Sequence, residues 1–174
     1  MQKTQISQTI KEDNSPPESI VIVKTPPAPT STETSSATEN NENKKEIFLS
    51  PFLSLSLSFK SFPLTVNISK ATKVKNEVDF QIQITNEKEE PLNYEISDLF
   101  HILDLESGET ITPQETKGEF GSLPFFGVNE GLIIFNLPVS FDQEKIILQV
   151  GDENDSHFIE FNFTDSSYKE IDVG

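Results

Sequence analysis

Leu53-Ser-Leu-Ser-Leu-Ser-Phe59 alternates apolar and polar residues without a break. Side chains on a pleated backbone point to opposite faces in turn, so this run puts three Leu and a Phe on one face and three Ser on the other. Leu64-Thr-Val-Asn-Ile68 and Val78-Asp-Phe-Gln-Ile-Gln-Ile84 repeat the period. Shorter runs predict strands at Leu92–Ile96, Phe100–Leu105, Leu132–Leu137, Lys145–Val150 and His157–Phe163. Helical spacing is best at Ile96, Leu99, Phe100 and Leu103, which predicts at most one short turn of helix. Turn residues fall between the runs, at Asn76-Glu77, Asn86–Pro91, Ser107-Gly108, Asn129–Gly131 and Gly151–Ser156. Short strands spaced in this way, with no amphipathic helix between them, predict an all-β fold. The expected form is an antiparallel β-sandwich of about seven to nine strands.

The period-two pattern occupies only part of the chain. Of the 174 residues, 1–46 hold five Pro, no Phe and no Gly, with 5 Lys against 7 acids. The low-complexity stretch Thr25–Asn43 has almost no large apolar side chain, so burial cannot offset about 1–2 kcal/mol per residue of backbone ordering entropy. Residues 1–46 are therefore expected to be a disordered Pro/Ser/Thr/Asn-rich linker, with Ile20–Val23 as its single apolar patch. Residues 47–168 are expected to form the sandwich and 169–174 a C-terminal tail. The region after residue 46 carries all 14 Phe and, with 8 Lys against 22 acids, −14 of the net charge of −16.

That charge bounds the chemistry. All 13 basic residues are Lys, and an acidic surface without Arg excludes nucleic acid as an expected partner. Without Cys there is no thiolate nucleophile and no Cys-based zinc site. No window reaches the 18–20 apolar residues of a membrane-spanning helix. No Gly-x-Ser-x-Gly elbow and no phosphate-cradling glycine loop is present. His101, in the apolar run Leu99–Leu103, and His157, at a strand start, are read as structural.

Two features are candidate sites. Asp152-Glu153-Asn154-Asp155 offers three carboxylates and an amide in a hairpin loop, so Asp152 and Asp155 are candidate Ca²⁺ ligands. The alternative is an ordinary solvated turn. Phe125 and Phe126 stand between Pro124 and Gly127. Adjacent side chains on a strand point to opposite faces, so one ring is solvent-accessible unless the 113–120 loop covers it. An exposed aromatic is a partner anchor, whereas a covered one is packing.

The order of these pieces resembles a bacterial immunoglobulin-like group, the DUF4352 family and the related mycobacterial immunoprotective antigens. Leu64-Thr-Val-Asn-Ile-Ser-Lys-Ala71 followed by Val78–Thr85-Asn86 is similar to its opening strand pair and closing turn. Ser97-Asp98-Leu-Phe100 with Leu105-Glu-Ser-Gly108 is similar to its next strand. Gly121-Ser-Leu-Pro-Phe-Phe-Gly127-Val-Asn-Glu-Gly131-Leu-Ile-Ile-Phe135-Asn-Leu-Pro138 is similar to its Gly-x-Leu-x-Pro-Gly-x-x-x-Gly-x-x-x-Phe-x-x-Pro motif. There the two glycines are expected to bracket a tight turn, with Phe135 entering the core and Pro138 stopping the strand. Phe48–Phe59 has no counterpart.

The resemblance covers about 64–164 and implies an immunoglobulin-like form of the sandwich in a secreted or lipid-anchored protein, whose family has no common catalytic residue to carry over; no cofactor is expected. A polar linker behind Met1 fits a lipoprotein whose anchoring Cys is replaced by Met. Lys-, Asn- and Ile-rich usage without Arg or Trp fits a low-G+C Gram-positive bacterium. The expected role is thus a non-enzymatic binding domain at the cell envelope, with a protein or cell-surface partner and a membrane link only through an N-terminal anchor. The rival readings are a Ca²⁺-binding or hydrolytic sandwich, and an intracellular or phage structural adaptor.

Overall fold

The computed structural model describes residues 43–173, apart from Glu106, Ser140, Asp142 and Gln143. The linker expected over 1–46, with its Ile20–Val23 patch, lies outside the described residues up to residue 42. Its last four residues do not: Asn43 lies in a turn, and Lys44, Lys45 and Glu46 open the first strand. At the other end Lys169–Ile171, expected in the tail, belong to the last strand.

Twelve strands and one helical turn make up the described chain. They are β1 (Lys44–Phe59), β2 (Phe62–Val74), β3 (Glu77–Asn86), β4 (Leu92–Asn93), α1 (Ile96–Leu99), β5 (Phe100–Leu103), β6 (Thr110–Ile111) and β7 (Glu115–Gly118). They continue with β8 (Ser122–Leu123), β9 (Val128–Asn136), β10 (Lys145–Asp152), β11 (Asp155–Asn162) and β12 (Ser167–Ile171). One sheet runs β1-β2-β3-β9-β7 and the other β12-β11-β10-β5-β6, with β4 and β8 as a separate pair. All pairings are antiparallel.

Within this arrangement β2-β3-β9-β7 stand in the immunoglobulin order A-B-E-D, and β6-β5-β10-β11 in the order C′-C-F-G. The fold is therefore the expected antiparallel sandwich. β1 is added beyond A, and β12 beyond G.

Period-two burial builds the core from both sheets. Leu55, Leu57 and Phe59 of β1, Leu64, Val66 and Ile68 of β2, and Val78, Phe80, Ile82 and Ile84 of β3 all point inward. Phe80 joins the layers. Its ring packs edge-on against Phe135 of β9 at 5.9 Å and against Phe161 of β11 at 5.0 Å. Such aromatic pairs add about 0.5–1.5 kcal/mol beyond area burial.

β1 reaches sixteen residues because its apolar parity survives an interruption. Ile47 and Leu49 are buried on the same side as Leu55, while Ser50, Pro51 and Phe52 bulge outward between the pairs Phe48↔Lys70 and Leu53↔Ile68. The Ser50–Pro51 peptide is cis. The strand expected over Leu92–Ile96 shrinks to the two residues of β4, and Ile96–Leu99 takes the helical turn that the Ile96/Leu99 spacing indicated.

His157, read as structural, ties the two sheets along one side. Its Nδ1 lies 2.6 Å from a Glu170 carboxylate oxygen on β12, and its Nε2 lies 3.1 Å from the Ser56 carbonyl on β1. Burial opposes its charge, but Glu170, the Ser56 carbonyl and the nearby charge of Asp155 outweigh that and raise its pKa above the ordinary 6.5. A raised pKa means the folded state holds the proton more tightly than the unfolded chain. The contribution is therefore complete below the unfolded value and is lost as pH rises through the folded one. His157→Gln should cost about 1 kcal/mol near pH 6 and clearly less near pH 8.5, read from urea denaturation at both. An equal cost at the two pH values would show that the proton plays no part.

Candidate functional site

In an immunoglobulin-like sandwich the B–C and F–G connections meet at one end. Here that end gathers the β3–β4 loop, α1, the β10–β11 hairpin and the β8–β9 turn. The β1–β2 hairpin reaches the same end.

Asn86, the last residue of β3, organises part of it. Its side chain is 1 % exposed. Its Oδ1 accepts from Lys88 N–H at 2.9 Å, and its Nδ2 donates to the carbonyls of Glu90 at 2.7 Å and Pro124 at 3.0 Å. Its own N–H donates to the Gly127 carbonyl at 2.9 Å, and Phe126 N–H donates to the Lys88 carbonyl at 3.0 Å. Asn is suited to this because one planar amide supplies donors and an acceptor together. The Thr85-Asn86 turn noted in the sequence is thus the clamp that joins two loops.

The clamped turn carries Phe125 and Phe126. Both rings are exposed, at 65 % and 59 %. The rule that one of two neighbours points inward does not apply, because Pro124–Gly127 is a turn between β8 and β9, not a strand. Gly127 N–H closes it onto the Pro124 carbonyl at 2.9 Å, and Phe126 adopts φ +46°. The 113–120 loop covers neither ring.

Gly131 also departs from expectation. It does not bracket the turn but lies inside β9, opposite Gly118 of β7. Phe135 is buried and β9 ends two residues before Pro138, as expected.

In the hairpin loop around Asp152 the carboxylates are engaged by backbone N–H groups. Asp152 Oδ1 accepts from the N–H groups of Asn154 at 2.9 Å and Asp155 at 3.3 Å, and Oδ2 from Lys60 N–H at 3.1 Å. Asp155 Oδ2 accepts from Ser58 N–H at 2.7 Å. Backbone hydrogen bonds from Asn154 and then Lys60 hold the Asp152 pKa below its ordinary value, although burial works the other way.

The two carboxylates, placed opposite one another in the β10–β11 register, fasten the β1–β2 hairpin to the β10–β11 hairpin. That hairpin turns on Lys60 and Ser61, both at positive φ, with neither Gly nor Asn to ease it. It was missed in the sequence for that reason. Lys60 Nζ pairs with Asp98 at 2.7 Å, and Lys88 Nζ donates to the Ser61 carbonyl at 2.9 Å.

No group of three or more His, Cys, Asp or Glu among the described residues gathers to hold a metal. Millimolar Ca²⁺ should therefore leave the melting temperature unchanged. Asp152→Ala should cost about 2 kcal/mol, because it strips the acceptor from three backbone N–H groups. A calcium-dependent rise in melting temperature that Asp152→Ala abolishes would support the metal reading.

His101 lies on the outer face of β5, opposite Gln149. With Lys60, Asp98, Gln149 and Asp152 it lines a cleft of 660 Å³. Its Nδ1 is buried without a hydrogen-bond partner, and burial lowers its pKa despite the carboxylate of Asp98. This end of the molecule thus offers two neighbouring surfaces: a polar cleft spanned by an ion pair, and an apolar projection built on a pinned turn.

Comparison of the chain with protein-family models, curated proteins and solved structures finds no match. Fold and geometry therefore define the class on their own: an immunoglobulin-like sandwich bearing an exposed aromatic pair on its end loops.

Proposed function

We propose that the protein is a non-enzymatic binding domain of the bacterial cell envelope, resembling the DUF4352 lipoprotein type, and that it takes hold of a protein partner through the Phe125–Phe126 turn. The observation that carries this reading is the pair of exposed rings on a backbone fixed by Asn86. Exposed aromatics cost solubility, and a pre-ordered turn presents them to a partner with little entropy left to lose. The rest of the surface, strongly acidic, disfavours anionic lipid and anionic wall polymers. Supporting the location are the Pro/Ser/Thr-rich stretch before β1 and the absence of Cys.

The turn is tested with Phe125→Ser/Phe126→Ser against the envelope-protein fraction of the source organism. A partner retained by the native protein should be lost from the double variant and kept by Val139→Ser, which alters an apolar side chain exposed elsewhere. Equal retention by all three sinks the assignment. Location is read from the gene upstream of Met1: a signal peptide ending in a lipobox Cys supports it, and an in-frame stop codon overturns it.

A further inference from the structure

On the outer face of the β1-β2-β3-β9-β7 sheet, the half nearer the β1–β2 hairpin is almost free of charge, whereas Glu46, Lys70, Asp79, Glu115 and Lys117 stand on the other half. Two adjacent rows cross the nearly uncharged half in register: Ser54–Asn67–Gln83–Glu130 and Ser56–Thr65–Thr85–Val128. Of these eight residues only Glu130 carries a charge, in a chain of net charge −16.

A groove of 340 Å³ lies across this face, lined by Phe52, Asn67, Ser69, Gln81, Gln83 and Glu130. Phe52 rises at its edge from the β1 bulge with its ring 56 % exposed. Asn67 Nδ2 donates to Gln83 Oε1 at 3.2 Å, but Asn67 Oδ1 is buried without a hydrogen-bond partner. A buried acceptor without a donor is a cost that native structures rarely carry without reason.

These observations narrow the ligand. β2, β3 and β9 are each paired on both sides, so their backbone groups are taken and a peptide cannot add here as a strand. Glu130 and the net charge oppose an anion, while one carboxylate is too few for a metal ion. An apolar molecule would strand the amides of Asn67, Gln81 and Gln83 without partners. What remains is an uncharged molecule with many hydroxyls and one apolar face. Its hydroxyls would donate to Glu130 and the Gln81 side-chain carbonyl and accept from the glutamine amides, while its C–H face lies on Phe52. We propose that this groove binds a neutral glycan chain, which adds a second ligand to the binding role above and does not depend on the Phe125–Phe126 turn.

The test follows side-chain amide and aromatic NMR signals of the full chain during separate titrations with cellohexaose, chitohexaose and mannohexaose. At least one should shift the signals of Phe52, Asn67, Gln81 and Gln83 together, with a Kd of about 0.1–5 mM. Phe52→Ala and Gln81→Ala, both at exposed positions, should each weaken binding about tenfold or more. Gln81→Ala carries the test alone should Phe52→Ala disturb the bulge. Phe125→Ser/Phe126→Ser should leave these shifts intact, so loss of the protein partner and loss of the glycan are separable results. No shift with any of the three up to about 10 mM overturns the proposal, as do shifts centred elsewhere or an equal response to polygalacturonate.

Discussion

Asn86→Ala should destabilise the domain by about 3 kcal/mol and remove the presentation of Phe125 and Phe126 at the same time. Truncation leaves the Glu90 and Pro124 carbonyls without their donor, and Lys88 N–H without its acceptor, at a position almost closed to water. Each stranded group costs about 1–3 kcal/mol, reduced here because both loops are near solvent and water can replace part of the loss. The backbone bonds from Asn86 to Gly127 and from Phe126 to Lys88 survive the substitution, so the sandwich should still fold. What loosens is the turn. Denaturant unfolding should show a lower midpoint, and backbone amide exchange should accelerate at 87–90 and 125–127 while staying slow in β3 and β9. Unchanged exchange at 125–127 would mean that the turn is held by something other than Asn86.

Gly131→Ala should cost about 2–4 kcal/mol, an outsize effect for one methyl group in a strand. An added Cβ would sit 2.1 Å from the Lys117 carbonyl oxygen and 2.9 Å from Gly118 Cα. Both are backbone atoms of β7, so no rotamer change relieves the overlap and β7 has to move away from β9. Gly118 is under the same constraint from the other side, with its own added Cβ 2.4 Å from the Glu130 carbonyl. The facing glycines set the approach of the two strands. Thermal unfolding should report the loss, and amide exchange should locate it in Glu115–Gly118. A cost below about 0.5 kcal/mol would show that β7 gives way freely.

The strands most fully legible in sequence are those whose burial follows period two, while β9 and β10, buried through consecutive residues, are legible as short apolar runs. In β1 after its bulge, and in β2 and β3, the sheet's inner face is written directly in alternating side chains. β7 shows no such pattern because all four of its residues are exposed at a sheet edge. β12 is an edge strand whose Lys169 and Glu170 face solvent. The first half of β1 was hidden by Pro51, a break that the strand crosses with a bulge and an unchanged parity.

The candidate site was legible in part. Two adjacent Phe next to a Pro mark an anchor or a core element, but only the turn geometry makes both rings project. For Asp152 and Asp155, local sequence cannot show that the N–H groups of Lys60 and Ser58, almost a hundred residues earlier, come to meet their carboxylates. The amide-lined groove left no signal, since Asn67, Gln81 and Gln83 become neighbours only through register.

β1 begins beside Val74 and ends beside Phe62, traversing the whole length of β2. The chain therefore enters the sandwich at the end opposite the β1–β2 hairpin and Asn86. With residue 43 anchored and a partner gripping the Phe125–Phe126 turn, tension would run along β1 rather than across it. Five residue pairs before the bulge and seven after it would then bear load in shear, sharing the force, instead of opening one at a time as in peeling. A domain loaded in this way resists mechanical extension better than its thermodynamic stability alone implies.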